Sequence, residues 1–470
     1  MTTSRTNPWA ATVLLLMGNF MNLIDVSIVN VALPSIRADL NATETQIEWV
    51  SAAYVLAFAV GLLPCGRFGD KLGRKRLFLW GVGLFTLASV LCGLAPGIWV
   101  LIGARGLQGV GGAMMVPQVM AIMHVIFPPE QKARAFALAG VVVSLGAVTG
   151  PLLGGLLITG DLQGLGWRPI FLVNLPVGIL VVLGGIRLIP ALAPARGMTI
   201  DWPGVGLFGL AIVLIVLPVI EGPLLGWPWW SLVALIMALP VVALFLQRQY
   251  ALERAGREQL LPMTLLRDGG FLSAVLVVML HFSAIPGMFL ILAIYLQTGF
   301  GLTPLESGLA TAPFPLGVML GSWITGRFGI RALMMRIAIG AAVLLVGMTW
   351  LRNAGGHPPP DLDVLTLAGP LAVNGFGMGL AISPLFQLVL RDVPGRIAGA
   401  ATGSMQALQQ VGAAIGIAVA SSLFFVHLRA AGDYAASLSH ALGYQMAVFA
   451  AILLVLGLRA LQQRRRVVPG

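Results

Sequence analysis

Long apolar runs alternate with short polar segments along nearly the whole chain. Six such runs fill its first part, near 9–33, 47–65, 77–94, 98–126, 133–159 and 168–188. Six more fill its last part, near 270–298, 305–326, 332–351, 364–390, 397–427 and 440–460. Each run is about long enough for a helix to cross a bilayer. The pattern therefore predicts an all-helical integral membrane protein.

Two further apolar runs lie between these sets, near 203–221 and 229–247. They are apolar on all sides, which favours two inserted membrane spans and a total of fourteen. The alternative keeps twelve spans and lays the pair on the membrane surface, where a helix needs a strongly polar face. With fourteen spans the chain divides into three regions, at 1–190, 191–268 and 269–470.

The basic residues are unevenly distributed among the connections. If both termini lie in the cytosol, most of the 28 Lys and Arg residues fall on cytosolic connections. The exceptions are Arg37, Arg168, Arg352 and Arg429 on the outer side, and Arg105 within a span. This bias follows the positive-inside rule, so we expect a multi-pass protein of the inner (cytoplasmic) cell membrane with both termini cytosolic. The first run lacks a small-residue cleavage site and is interpreted as a retained helix.

Composition excludes several other classes of protein. Hydrophobic residues make up 58% of the 470 residues and charged residues only 10%, far from the soluble range. The net charge of +11 does not indicate nucleic-acid binding, because the cations form short clusters without interleaved aromatic residues. Cys65 and Cys92 both fall inside predicted spans, so we expect neither a disulfide framework nor a metal site. Since no lysine lies in a phosphate-binding loop, we expect no cofactor and no direct use of ATP.

A charged stretch, Gly66–Arg76, separates the second and third apolar runs. It carries five cations and one acid, and we interpret it as a tight loop at the cytosolic membrane surface. Its first four residues, Gly-Arg-Phe-Gly, recur at 326–329, which indicates that one half of the chain is a copy of the other. The pattern Gly66-x-x-x-Asp70-x-x-Gly73-Arg74-Lys75-Arg76 resembles the loop between helices two and three of major facilitator superfamily transporters.

Two further motifs extend this resemblance. The fourth span contains Arg105-x-x-Gln108-Gly109-x-Gly111-Gly112, which is similar to an Arg-x-x-Gln-Gly segment in helix four of the superfamily. The fifth span contains Gly146-x-x-x-Gly150-Pro151-x-x-Gly154-Gly155, which resembles the fifth-helix signature of its antiporters. On physical grounds alone, the motif in the fifth span indicates only a kinked helix with a glycine face for close packing. It is the resemblance that implies export as the direction of transport.

Other matches resemble one branch of the superfamily. They are Leu23 to Pro34, Trp49 with Tyr54, Trp167 to Gly178, Tyr295 to Gln297, Gly375 to Gly379 and Gln406 to Gly416. Together with fourteen spans, they resemble the drug:proton antiporter branch, which includes multidrug exporters. The resemblance implies a major facilitator fold, with two pseudo-symmetric six-helix bundles plus two inserted helices, and proton-coupled export of lipophilic, often cationic drugs or toxic compounds. The alternatives are a dedicated exporter of one endogenous metabolite and a membrane receptor or sensor that does not transport.

Asp25 and Arg105 are the candidate proton-coupling residues. Asp25 lies eight residues from the outer end of the first span and Arg105 seven residues into the fourth, so both are roughly 10–12 Å deep by helical rise. A carboxylate and a guanidinium at one level within a membrane favour a functional pair. Two other interpretations remain, a purely structural pair between two helices and an Arg105 side chain that reaches the outer interface.

Polar residues within the spans are candidates for a substrate cavity. In the first helix, Asn19, Asn22 and Asp25 lie on one side. The full cavity set is Asn22, Trp49, Tyr54, Gln108, His281 and Gln406. His281 and Gln406 are equally well interpreted as side chains that pack or join helices. Because spans ten to thirteen hold no acidic residue near mid-membrane, we expect monovalent cations to be preferred over divalent ones.

The charged stretch also supplies a candidate conformational latch, formed by Gly66, Asp70, Gly73, Arg74 and Lys75. Contacts of these residues at the cytosolic helix ends would hold the two halves together and favour the outward-open state. The alternative is that the cations only set the topology. We expect a transporter rather than an enzyme, a monomer whose partners are small-molecule substrates, protons and the lipid bilayer.

Overall fold

The computed structural model describes residues 7–160, 164–195, 198–223, 225–328, 332–356 and 365–467, which form helices and no strands. The helices are α1 (Pro8–Leu40), α2 (Glu44–Leu72), α3 (Arg74–Gly93), α4 (Ile98–Ile126), α5 (Pro129–Thr159), α6 (Pro169–Leu172), α7 (Asn174–Leu188), α8 (Trp202–Glu221), α9 (Trp229–Arg254), α10 (Met263–Arg267), α11 (Gly269–Ile294), α12 (Pro304–Thr311), α13 (Pro313–Gly326), α14 (Leu333–Gly356), α15 (Leu365–Leu390), α16 (Ala398–Ala431) and α17 (Tyr434–Val467). A π-helical turn, Tyr295–Gly299, continues α11, and a 3₁₀ turn, Gly395–Ile397, precedes α16.

Within the described residues, twelve helical stretches are long and apolar enough to cross a membrane. Helix α5 and the pair α12–α13 lie where the other two predicted spans were expected, but they are not among these twelve. The prediction of an all-helical membrane protein is therefore confirmed, with twelve candidate spans.

The stretch 66–76 is almost entirely helical, so the prediction of a tight charged loop was wrong. Helix α2 continues to Leu72 and α3 begins at Arg74. Only Gly73 separates them, with a φ of 98° that residues with a Cβ rarely adopt. A helix satisfies its own backbone hydrogen bonds, so it continues past the apolar run while its charged side chains reach outward. Gly329, the last residue of the recurring tetrapeptide, lies outside the described residues.

Two predicted spans are interrupted. The sixth divides into α6 and α7 around Val173, and the tenth into α12 and α13 at Ala312. Pro169 and Pro313 lie in the first turns of α6 and α13, where a missing N–H is tolerated because it would have no helical partner. The break in the sixth span places Asn174 at the start of α7, where its side chain is buried.

Each half of the chain packs into one set of helices, and the two sets repeat a close contact. In the first half α2 and α3 pack on α4, and in the second half α13 and α14 pack on α15. A Cβ added at Gly81 of α3 would lie 2.9 Å from the carbonyl oxygen of Gly111 in α4. A Cβ added at Gly340 of α14 would lie 2.8 Å from the carbonyl oxygen of Gly377 in α15. The α3–α4 contact therefore has a counterpart in the α14–α15 contact.

The two halves meet through α2 with α16, and through α5 with α13 and α15. Helix α8, which pairs with α9, packs against both α2 and α16. Its residues Ile212 and Val216 are buried in a cluster with Ala59 of α2 and Val411 of α16. The inserted pair therefore lies along the side of the junction between the halves.

Polar contacts tie together the segments that flank the inserted pair. Asp201 accepts hydrogen bonds from Arg248 Nε at 2.8 Å and Gln249 Nε2 at 2.9 Å. Gln249 Oε1 in turn accepts from the backbone N–H groups of Leu260 and Leu261. Burial acts to raise the pKa of Asp201, but the hydrogen bonds from Arg248 and Gln249 outweigh it and hold that pKa below its ordinary value. An ionised Asp201 therefore anchors both linkers.

Candidate functional site

Asp25 lies at the centre of a buried polar network in the first half. Its side chain is fully buried on α1, between α4 and α7. Arg105 Nη1 donates to Asp25 Oδ2 at 2.5 Å. Gln108 Nε2 and Asn174 Nδ2 donate to Asp25 Oδ1 at 2.6 and 3.1 Å. Every one of these contacts is a donation to the carboxylate, so the arrangement suits the ionised form of Asp25.

The same network holds Arg105 away from the surface. Its side chain is 2% exposed, and its Nε donates to the carbonyl of Val50 at 3.1 Å. Nη1 also donates to Gln108 Oε1 at 2.6 Å, and the guanidinium lies 4.4 Å from the centre of the Tyr54 ring. The guanidinium therefore does not reach the outer interface, and it is held by an ion pair, two hydrogen bonds and a cation–π contact.

Gln108 and Asn174 share a further acceptor, Ser89 Oγ of α3, at 2.7 and 3.2 Å. These contacts fix the amide orientations, because each NH₂ group must face an acceptor. The network therefore joins α1, α3, α4 and α7, and the amide that the sequence assigned to the cavity, Gln108, directly contacts Asp25. Protonation of Asp25 would remove an acceptor from Arg105 and disturb contacts on four helices.

Next to this network, Asn22 and Tyr54 form a second polar contact. The amide nitrogen of Asn22 donates to the Tyr54 hydroxyl, and both side chains are buried. Gly112 of α4 lies against this pair, since a Cβ there would be 3.1 Å from the Tyr54 hydroxyl oxygen. Tyr54 thus connects Asn22 with Arg105, whereas Trp49 on the same helix is half-buried. Of the candidate cavity residues, Asn22 therefore lies one turn from Asp25 on α1, Gln108 contacts Asp25 directly, and Tyr54 contacts Asn22 and Arg105.

The glycine face of α5 packs on α1, the helix that carries Asp25. A Cβ at Gly150 would overlap Ser27 Oγ, and one at Gly154 would lie 2.9 Å from Ile28. Gly146 approaches Leu23 in the same way, and its carbonyl accepts a hydrogen bond from Ser27 Oγ. Gly155 has open space at its Cβ position. The side chain of Pro151 lies outside the described part of the chain.

A second cluster of charges joins the two halves at the end of the molecule that carries Gly73. Asp70 is buried and accepts hydrogen bonds from the backbone N–H groups of Gly399 and Ala400 at the start of α16, both at 3.1 Å. Arg74 Nη2 donates to Asp70 Oδ1 at 2.6 Å and to the carbonyl of Gly395. Gly66 sits directly on Gly399, where any side chain would collide with the facing backbone. These contacts hold the halves together at this end of the molecule.

Three other members of the predicted sets take no part in the contacts of these two clusters. Lys75 is half-buried and donates to the carbonyl of Ile186 within the first half. His281 is fully buried in the second half, where its Nε2 lies 2.7 Å from Met378 Sδ and its ring contacts Phe282 and Phe449. Gln406 is buried on α16.

The sequence profile described as the Major Facilitator Superfamily matches residues 15–417. The chain belongs to the major facilitator superfamily. This membership confirms the family predicted from the motifs and identifies a transporter rather than an enzyme.

Several superfamily members of bacterial origin are similar over most of their length. The probable actinorhodin transporter of Streptomyces coelicolor is 38% identical over 426 residues, which cover 89% of this chain and 72% of the relative. Multidrug resistance protein Stp of Mycobacterium tuberculosis is 36% identical over 420 residues, covering 88% and 75%. The tetracenomycin C resistance and export protein of Streptomyces glaucescens is 30% identical over 421 residues, covering 88% and 76%.

Solved structures of superfamily members share the fold. The human organic anion transporter MFSD10 (TETRAN) superposes with a TM-score of 0.69 at 15% identity, covering 96% of this chain and 99% of that one. The proton:xylose symporter XylE superposes with a TM-score of 0.64 at 13% identity, covering 95% and 94%. At these identities the likeness establishes the fold of the chain and nothing about its substrate.

Sequence reasoning missed three polar residues that the structure brings to these clusters. Ser89 is an ordinary small polar residue within a span and carries no signal. Asn174 lay inside a matched superfamily motif, and an amide within an apolar run was a sufficient reason to examine it. His124 near the end of α4 was not singled out, although it is a titratable residue inside a predicted span.

Proposed function

We propose that this chain exports lipophilic, often cationic drugs or toxic compounds across the cytoplasmic membrane in exchange for protons. Relatives at 30 to 38% identity are named as antibiotic and multidrug resistance or export proteins. That agreement among names supports drug export for this member of the superfamily.

The buried network around Asp25 is the observation that best supports the proposed proton coupling. Asp25 is the acid in the ion pair at the centre of the first half, and each of its contacts stabilises the ionised form. A proton that reached Asp25 would neutralise it and leave the Arg105 guanidinium without its counter-ion. Breaking a buried pair is costly, so the helices would have to rearrange. Such a change links one proton to a conformational step.

For the topology we infer fourteen spans with both termini in the cytosol. The three regions are the bundles at 1–190 and 269–470 and the inserted pair with its linkers at 191–268. Helix α5 has 31 residues and packs on α1, α13 and α15, which supports its assignment as a span. The position of α8 against α2 and α16 supports a spanning inserted pair rather than one on the membrane surface. The basic residues of the α2–α3 turn support placing this end of the molecule in the cytosol.

On that topology, Asp70 and Arg74 act as the cytosolic latch of an outward-facing state. Their contacts with Gly395, Gly399 and Ala400 support this role, because they cross between the halves and would be lost if the cytosolic ends separated. Substrates would then enter from the cytosolic side only after the latch opens.

For the substrate site, we infer a cavity between the halves that includes Asn22, Trp49, Tyr54 and Gln406. Asp25 supplies one negative charge, and among the described residues of the second half His281 is buried but no acid is. One carboxylate balances one cation, so a monocation should be exported better than its bis-cationic analogue.

A dedicated exporter of one metabolite is the second candidate. It is favoured by relatives whose names specify a single compound, actinorhodin or tetracenomycin C. A chemically mixed panel distinguishes the two candidates, because a dedicated exporter moves one scaffold and a multidrug exporter moves several.

The experiment uses proteoliposomes with a pH gradient imposed across the membrane. Fluorescent lipophilic monocations, their bis-cationic analogues and neutral antibiotics are added in turn, and both substrate movement and internal pH are followed. Antiport predicts substrate-dependent proton movement that an uncoupler abolishes. Proton-independent transport would contradict coupling, and the absence of transport of every compound would contradict the proposed function.

A further inference from the structure

His124 links both halves and a lysine at the end of the molecule that carries the Asp70 latch. It is buried near the end of α4. Its Nε2 lies 3.2 Å from the carbonyl oxygen of Val393, in the segment that connects α15 to α16. Its Nδ1 lies 3.3 Å from Lys132 Nζ in the first turn of α5. The imidazole therefore connects the first half with the second.

The partners of His124 determine its hydrogen-bonding pattern. A carbonyl oxygen only accepts, so Nε2 must donate to Val393. A lysine ammonium only donates, so Nδ1 must accept from Lys132. This is the neutral imidazole with its proton on Nε2. A second proton would have to occupy Nδ1, where it would end the bond to Lys132 and face a positive charge at close range.

We propose that His124 is a proton-responsive residue of the closed end: its neutral form helps to hold the halves together, and its protonation favours their separation. The inference rests on the proposed function for one point, the assignment of this end to the cytosol. The contact itself needs no such assignment, because it follows from the positions and chemistry of four atoms: the two imidazole nitrogens, the Val393 carbonyl oxygen and Lys132 Nζ.

The other charges near His124 support this direction. Arg74 at the start of α3 also acts on His124 as a positive charge, and it is engaged with Asp70. On α5, Glu130 and Arg134 are exposed, as are Arg391, Asp392 and Arg396 in the connecting segment. Lys132 and Arg74 are therefore the charges that face the imidazole, and both oppose a second positive charge there.

The consequence is feedback on transport. Each antiport cycle brings a proton to the cytosolic side. As that side acidifies, protonated His124 accumulates in the open state, where the imidazole is no longer buried against the Val393 segment, and closure becomes less favourable. One proton linked to the open state lowers the closed-to-open ratio by up to about tenfold per pH unit. Proton import thereby slows itself.

The test measures the distance between the two halves without substrate or gradient. Spin labels are attached at Leu72→Cys and Met335→Cys, both exposed at this end, in a background with Cys65→Ala and Cys92→Ala. Double electron–electron resonance on protein in nanodiscs then follows the distance from about pH 8 to pH 5, across the range in which a free imidazole titrates. We expect the long-distance population to grow as the pH falls.

The decisive variant is His124→Gln, because an amide can donate to Val393 and accept from Lys132 but cannot titrate. We expect its distance distribution to depend less on pH than that of the parent protein, because Asp25 can still accept a proton in this variant. The matched control, His427→Gln, removes a titratable ring stacked on His440 in the half-buried part of α16 and should follow the parent protein. Lys132→Met should reduce the pH dependence, because the closed state then tolerates the imidazolium better. The proposal is overturned if His124→Gln responds to pH as the parent does, or if the parent does not respond at all.

A transport arm separates this inference from the proposed function. In proteoliposomes with a constant pH difference, both pH values are lowered together, and the parent should lose export several-fold more than His124→Gln. If neither protein exports any compound, the proposed function fails while the distance measurement still decides the role of His124.

Discussion

Asp25 accepts hydrogen bonds from three side chains on two other helices, and its own side chain is fully buried. The donors are Arg105, Gln108 and Asn174. In a low-dielectric interior such a network is strong when every member is satisfied and costly when one is removed. At the residue scale, the first prediction therefore concerns the charge on Asp25.

Asp25→Asn should abolish pH-driven export while the protein still inserts in the membrane. The variant cannot carry a proton, and its NH₂ group would face the donors that now point to Asp25. Export and proton movement are measured in proteoliposomes. Asp39→Asn is the matched control, because Asp39 is also on α1 but forms a partly exposed pair with Arg168, and it should retain export. Normal proton-coupled export by Asp25→Asn would move the coupling site elsewhere, with His281 as the next residue to examine.

A double variant separates the structural role of the pair from its coupling role. Removing one partner of a buried pair costs about 3–5 kcal/mol, whereas replacing both is often nearly neutral. Asp25→Asn combined with Arg105→Met should therefore recover thermal stability relative to Asp25→Asn in detergent, without recovering export. If the double variant also regained proton-coupled export, the pair would be structural only.

At the scale of helices, close approach is what brings the functional residues together. Helix α5 packs on α1 through Gly146, Gly150 and Gly154, and α2 packs on α16 through Gly66 and Gly399. A single methyl group would separate backbones at these points. Because α1 carries Asp25 and α2 carries Asp70, both functional clusters depend on these glycine contacts.

Gly150→Ala should impair transport and lower stability by about 1–3 kcal/mol, the usual cost of overpacking. Its new Cβ would overlap Ser27 Oγ of α1. Gly155→Ala on the same helix meets open space and should behave as the parent protein in thermal unfolding and in export. Equal effects of the two substitutions would show that α5 acts through helix propensity rather than through its contact with α1.

Asp70→Asn should loosen the latch between α2 and α16. It weakens the charge-assisted hydrogen bonds that the carboxylate accepts from the backbone N–H groups of Gly399 and Ala400, and such a bond is worth about 1.5–3 kcal/mol, so the closed-to-open ratio should fall roughly tenfold or more. The distance between labels at Leu72→Cys and Met335→Cys reports this change. Asp392→Asn is the control. The Asp392 carboxylate is exposed and forms only a surface ion pair, at 3.9 Å from Arg391 Nε. An unchanged distance distribution in Asp70→Asn would leave the cations with a role in topology alone.

At the scale of the whole molecule, the inserted region contacts both halves at their junction. Helix α8 lies against α2 and α16, Ala195 donates to the carbonyl of Asp70, and Glu258 pairs with Arg67 at 2.9 Å. Through these contacts, the inserted region forms part of the junction between the two halves. Asp201 connects the two linkers, and its ionisation provides a way to measure their contribution.

Asp201→Asn should lower the thermal stability near neutral pH, because it removes the charge that Arg248 and Gln249 stabilise. The folded pKa of Asp201 is lower than in the unfolded chain, so this stabilisation is present above the ordinary value of 3.8 and is lost as the pH falls through the lower folded value. The difference in Tm between parent and variant should therefore shrink as the pH falls below about 4. A difference in Tm that stays constant across this range would contradict the assigned pKa direction.

Much of the architecture was predictable because a helix that crosses a bilayer must be long and apolar, and such segments can be recognised in the sequence. Apolar length, the placement of basic residues and short glycine motifs led to an all-helical superfamily member, and twelve candidate spans lie where apolar runs predicted them. The prediction of a loop at 66–76 was wrong because the side chains become polar there while the backbone remains helical. Residues 66–72 are charged yet remain helical, since a helix end at the membrane surface can place its side chains in water.

The sequence by itself determined which residues are costly to bury, and Asp25 and Arg105 were identified on that basis, whereas Asp70 was identified from the charged stretch at the membrane surface. Apart from the Asp25–Arg105 pair, which the equal depth of the two residues had predicted, the tertiary structure alone decided their partners. Ser89 and Asn174 join Asp25 through the packing of α3 and α7, and His124 reaches Val393 across the junction of the halves. The physical reason is that hydropathy depends on composition along one helix, whereas a hydrogen bond requires atoms from distant helices within about 3 Å of each other.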